Sequence, residues 1–169
     1  ESNPITPENL SDLRTSWRYK ECEKCGKKRG FVFVNNYQRR RKMAEHKNIV
    51  LASAEKSGAD IQFPAIDVAD KDFFFLPFNM KVADGLLKTS LATPLCVLNN
   101  QRKVYVFYSA AKPVGSLAEK DSSVCSAKDA SVSLYQFEGE VPDCDIVTLS
   151  REDALNAHKV SASGKEYLV

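Results

Sequence analysis

Alternation of apolar and polar positions begins at residue 13. In LRTSWRYK, Leu13, Thr15, Trp17 and Tyr19 interleave with Arg14, Ser16, Arg18 and Lys20. A period of two predicts a strand with one buried face. The next apolar run, GFVFVNN, places Phe31, Val32, Phe33 and Val34 in succession, which predicts a strand covered on both faces. The polar stretch ECEKCGKKR between them reads as a hairpin loop, with Gly26 and Gly30 at positions suited to positive φ.

Short apolar runs then recur at close intervals. NIVLASA predicts one strand, and ADIQFPAIDVAD predicts two, with Pro64 excluded from a central ladder position. KDFFFLPFNM predicts a strongly aromatic strand that Pro77 ends or confines to an edge. LLKTSLATPLCVLNN reads as two strands broken near Pro94; NNQRK is a turn and VYVFYSA a further strand. Residues 111–130 are rich in Ser, Ala and Lys and read as a long loop. SVSLYQFEG and DIVTL return to strand character.

One helix is expected, over about residues 150–160. In SREDALNAHKV, Ser150 is an N-cap, Asp153 follows three residues on, and His158 and Lys159 lie near the end. Gly164 closes that unit, and EYLV reads as a last strand running onward. The expected fold is mostly β: an antiparallel sandwich-like domain with one C-terminal helix. Residues 1–12 are a linker and residues 13–169 the domain, strand-rich over 13–149.

Composition narrows the function classes. The 169 residues suffice for one domain with its own core. A net charge of +2 lacks the basic excess of a nucleic-acid binder, so no nucleic-acid partner is expected. Nor is a membrane partner, because no apolar run approaches the roughly 18 residues a spanning helix needs. The opening ESNPITPENLSD is polar and lacks an initiating Met, which implies a removed leader or a piece of a longer protein. Five cysteines, at 22, 25, 96, 125 and 144, fit no disulfide framework and do not fix a compartment.

Few residues suggest chemistry. Cys22 and Cys25 have the spacing of half a zinc site, but there is no second such pair, and His46 and His158 stand far apart. A hairpin loop carrying two thiols, a weak metal site and a local disulfide all remain readings of the pair. The run Arg39–Lys42 beside Tyr37 suits either a solvated turn or phosphate contact. Asp67, Asp70, Asp72, Glu138 and Asp143 read as turn or edge acids rather than the paired carboxylates of a glycosidase. There is no glycine-rich phosphate loop and no recognisable nucleophile setting. No cofactor is expected. For sugar contact the candidates are Tyr37, Asn35, Asn36 and Trp17. Trp17 and Tyr19 lie on the apolar face of their strand, where burial is expected, whereas Tyr37 should be more open.

RGFVFVNNYQRRRKM, then FFFLPFNM, then ATPLCVL resemble the region that follows the catalytic barrel in bacterial β-galactosidases of glycoside hydrolase family 35. The family pattern is Gly, an aromatic, an aliphatic, Phe, then Asn-Asn-Tyr or Asn-Asn-His with a basic residue soon after. It falls here on Gly30, Phe31, Val32, Phe33, Asn35, Asn36 and Tyr37. Pro77 in a later apolar strand and the tail DIVTLSREDALNAHKV fit as well, so the resemblance spans most of residues 13–160. The Cys22–Cys25 pair and the RRRK run depart from the pattern. The resemblance implies a non-catalytic β domain bracing a (β/α)8 barrel of the same polypeptide and shaping access to its substrate. A barrel of about 250 residues of alternating strands and helices cannot be contained in this chain. The family's catalytic glutamates lie on barrel strands, so the resemblance assigns no catalytic residue here. β-Galactoside glycans are the alternative partner, with the chain then a carbohydrate-binding module; a zinc-stabilised adaptor built on Cys22 and Cys25 is a third reading.

Overall fold

The computed structural model describes residues 13–23, 26–53, 61–114, 123–127 and 134–169, with backbone only for 123–126. The expected linker at 1–12 and Cys25 lie outside these residues. Among the described residues, fourteen strands and one short helix make a mostly β, sandwich-like domain, as the sequence pattern anticipates.

The first strand, β1 (Arg14–Glu21), pairs antiparallel with β2 (Lys28–Asn35), register Arg14 with Asn35 through Glu21 with Lys28. The turn between them is closed by the Cys22 N–H on the Lys27 carbonyl at 3.0 Å and the Gly26 N–H on the Cys22 carbonyl at 2.8 Å. Gly26 adopts φ +65°, as a turn glycine should. Gly30 does not belong to that turn. It lies inside β2 opposite Tyr19, where a Cβ would fall 1.9 Å from the Arg18 carbonyl oxygen. Close strand approach, not positive φ, is what requires glycine there.

Two short strands, β3 (His46–Ile49) and β4 (Ile66–Val68), pair with each other, and a bridge joins Ala52 to Gln62. The long strand β5 (Phe73–Val82) lies between β2 and β6 (Gly85–Ser90). Pro77 neither ends β5 nor confines it to an edge. It faces Phe31 of β2, and pairing with β6 starts only at Phe78, so the ladder on the other flank has not begun where the proline sits. The break expected near Pro94 falls instead at Leu91. β7 (Ala92–Asn99) runs through Pro94 and absorbs it in a register shift before Cys96.

β7 turns into β8 (Lys103–Ser109) as expected. Residues 111–130 are not wholly a loop. They contain β9 (Lys112–Pro113), which pairs with β4, and β10 (Ser123–Ser126), which pairs with β12 (Asp145–Leu149). β11 (Tyr135–Glu138) extends the first sheet beside β6. The order is β1-β2-β5-β6-β11 in the five-stranded sheet, β10-β12-β8-β7 in the second and β3-β4-β9 in a third. Among the described residues all strand pairings are antiparallel except β8 with β12, which the intervening elements bring round in parallel.

Two apolar cores result. Val32, Val34, Phe74, Leu76 and Phe78 of the large sheet meet Phe63, Ile66, Val68 and Ala111 in one. Val82 and Leu87 meet Tyr105, Phe107 and Ile146 of the second sheet in the other. β2 therefore buries one face and not two: Val32 and Val34 are enclosed, while Phe33 is 41% exposed on the opposite face.

The helix α1 (Arg151–Asn156) is shorter than its sequence signal. Ser150 caps it, accepting the Asp153 N–H at 3.0 Å. His158 and Lys159 stand outside it because the chain re-extends at Ala157. β13 (Lys159–Ala162) folds back on β14 (Lys165–Leu168) around Gly164, so the expected last strand is one arm of a hairpin. Polar contacts hold the hairpin to the β7–β8 turn. Glu166 accepts the Asn99 N–H and pairs with Lys159 at 2.9 Å, and the Glu166 N–H reaches the Asn100 side chain at 2.8 Å.

Gly30→Ala is expected to lower stability by about 1–3 kcal/mol through overpacking against β1, read as a lower urea midpoint with the same transition slope. A second prediction concerns pH. The Asn99 N–H, and then Lys159, hold the Glu166 carboxyl below its usual range. A lowered native pKa means its stabilisation is complete above the ordinary glutamate value of about 4.3 and vanishes as pH falls through the native value. Hydrogen-exchange protection of β13 and β14 should drop below about pH 4, while that of β2 and β5 persists; equal loss everywhere would contradict this anchoring.

Candidate functional site

The Asn-Asn-Tyr segment ends β2 and opens a loop that packs on residues 69–72. Asn36 is wholly enclosed, at 0% exposure. Its Nδ2 donates to the Ala44 and Ala69 carbonyls, both at 2.8 Å. Its backbone N–H donates to the Asp72 carbonyl and its carbonyl accepts the Lys71 N–H. Asn35 uses its Oδ1 to accept the Tyr37 N–H at 2.8 Å, an Asx-type turn. Both asparagines are thus spent on shaping the loop. Tyr37 is 44% exposed beside them.

Trp17 does not join that group. Its ring packs 5.3 Å from Phe78 and 6.1 Å from Phe63, within the first core. Its partner on the same face, Tyr19, is 37% exposed where burial was expected, and the Lys28 ammonium lies 4.5 Å over its ring. The face of β1 therefore turns from core to solvent as the strand runs past the edge of the packed layer.

The acids noted in the sequence are each engaged locally. Asp67 accepts the Asn48 N–H at 2.9 Å, which holds its carboxyl below the usual range. Asp70 accepts the Met43 N–H and Asp72 the Ala69 N–H, both at 2.8 Å. Asp143 pairs with Arg102 at 2.5 Å. Glu138 lines a polar cleft with Asp84, Glu140 and Lys27. There the 2.6 Å bond from Lys27 keeps the Glu138 carboxyl low, the opposite of what a general acid on a glycosidic oxygen needs. Burial pushes the Cys96 and Cys144 thiols up, away from the reactive thiolate. Cys22 sits half-buried in the first turn, and among the described residues no group of three or more His, Cys, Asp or Glu is arranged to hold a metal.

The feature the sequence did not signal is an apolar trough of about 490 Å³ on the outer face of the large sheet. β2 contributes Phe33 and Asn35, β5 contributes Phe73 and Phe75, β7 Leu95, β8 Tyr108, and α1 Arg151, Ala154 and Leu155. Phe33 and Phe75 pack at 5.7 Å between ring centroids. The Arg151 guanidinium lies 4.9 Å over the Phe73 ring. Phe73 is 56% exposed, Leu95 39% and Leu155 78%. Arg151, Ala154 and Leu155 share one side of α1 because residues three and four apart align on a helix. The period-two pattern puts Phe33, Phe73 and Phe75 on one face, but the sequence could not say that this face would be left open by the second sheet.

A sugar site requires several polar groups set around an apolar platform. Here the polar groups are the Asn35 amide, whose oxygen is already taken by the Tyr37 N–H, the Tyr108 hydroxyl and Arg151. That balance suits apolar side chains better than a hydroxylated ring. No family description, curated protein or solved structure matches the chain.

Asn36→Ala should cost about 1–3 kcal/mol by removing two hydrogen bonds to loop carbonyls, whereas Tyr37→Ala should stay within about 0.5 kcal/mol of the parent chain. Denaturant titration of both variants checks this; equal costs would mean that Asn36 does not clamp the loop.

Proposed function

We propose that this chain is a non-catalytic accessory domain of a β-galactosidase-like glycoside hydrolase, bracing the catalytic barrel through its outer face. The single observation that carries the reading is the open trough. Exposed Phe33, Phe73, Leu95 and Leu155, with half-buried Phe75, form one contiguous apolar surface. Contiguous apolar patches of this kind mark interaction surfaces. Fully burying a Phe or Leu is worth about 1.5–3 kcal/mol, so closing the trough against a neighbour would supply several kilocalories. The resemblance of Gly30–Tyr37 and the later segments to family 35 names the neighbour: a (β/α)8 barrel carried by the same polypeptide. In this reading hydrolysis of terminal β-galactosides is performed by paired carboxylates of that barrel, and this domain contributes rigidity and one wall of the approach to the site.

The test is the native gene product, detected in its host by an antibody raised to this chain. The expected product is several times heavier than 18.8 kDa and hydrolyses a chromogenic β-galactoside, while the pure 169-residue chain does not. A product near 18.8 kDa, or sustained hydrolysis by the repurified short chain, would overturn the proposal.

A further inference from the structure

The trough has a charge character that an inert packing face would not need. Arg151 stands at its rim, exposed, with its guanidinium over Phe73. Among the described residues Arg151 forms no ion pair. The carboxylates at this end are turned to other work. Asp70 and Asp72 cap backbone N–H groups of Met43 and Ala69, and Asp153 accepts from the Ser150 hydroxyl at 2.8 Å. Glu152 and Asp153 are not part of the trough lining, which takes only Arg151, Ala154 and Leu155 from α1. An apolar floor therefore meets one cation without an ion pair, Arg151.

We infer that the trough seats an acidic, apolar segment of the neighbouring domain: aliphatic or aromatic side chains between Phe33, Phe73, Phe75 and Leu155, with an Asp or Glu received by Arg151. This rests on the accessory-domain reading and adds the chemistry of the surface that it meets. Apolar burial supplies the affinity. Arg151 supplies register, since a guanidinium already stacked on a ring loses little freedom on pairing with a carboxylate and offers a planar, two-pronged donor set. A basic or neutral segment would leave Arg151 half-covered and unpaired, which is the unfavourable alternative.

The test places a photo-reactive benzoyl-phenylalanine at Leu155 in the full native gene product, irradiates it and maps the adduct by mass spectrometry. The expected adduct lies on another domain of the same polypeptide, in a segment with Asp or Glu beside Leu, Ile, Val, Phe or Tyr. Arg151→Glu in that background should cut the adduct yield several-fold, and Glu→Arg in the mapped segment should restore it. Arg151 is exposed, so the variant does not threaten the fold. An adduct on a segment without carboxylates, on a second copy or on a separate polypeptide, or unchanged yield with Arg151→Glu, would overturn the inference. The adduct's position and the product's mass are read separately. A non-acidic segment of the same heavy polypeptide would sink this inference and leave the accessory-domain reading standing.

Discussion

The molecule depends on the two-sidedness of one strand. β5 puts Phe74, Leu76 and Phe78 into the first core and Val82 into the second, while Phe73 and Phe75 point the other way into the trough. Alternation along a strand makes these assignments inseparable, because a one-residue slip would exchange the faces. The register with β2 is continuous from Gly30 with Phe78 to Asn35 with Phe73. Gly30 lets β1 approach at that end, and Asn36 ties the loops at the other. The same constraint that builds the core fixes three phenylalanine rings, Phe33, Phe73 and Phe75, on a surface that the other described residues leave open.

This arrangement gives the asparagines a different meaning from the one that their chemistry suggests. Amide side chains near an exposed tyrosine look like sugar contacts. Here Asn36 is inaccessible and Asn35 is committed to its own turn. Their consequence is structural: they shape the loop that follows β2 and fasten it to the Ala44 and Ala69 carbonyls. The trough is assembled from four strands and the helix, with three of its residues coming from α1, and no short motif could encode it.

How much was legible follows from the range of the interaction involved. Period-two patterning made β1 readable, and short apolar runs bounded by turn residues made β8, β12 and the β1–β2 hairpin readable. Ser150 was readable as a cap because capping is local. The end of α1 was not, because re-extension at Ala157 is coupled to the hairpin that Glu166 fastens to Asn99 and Asn100, residues 66 and 67 positions away in the chain. Pro77 and Pro94 misled because a proline in a strand is tolerated wherever one flank of the ladder is open or bulged, which is a property of neighbours and not of the proline. Continuous apolar runs misled in the same way: Phe31–Val34 looks two-sided, and the openness of one side depends on where β7, β8 and α1 come to rest.

The most direct test of the central claim is hydroxyl-radical footprinting of Phe33, Phe73 and Leu155 in two samples, the 169-residue chain and the native gene product that contains it. An outer face made for docking predicts ready labelling in the short chain and strong protection of all three residues in the native product, with Tyr167 on the C-terminal hairpin as an exposed reference in the short chain. Equal labelling of the three residues in both samples would contradict it, leaving the trough a surface that nothing covers.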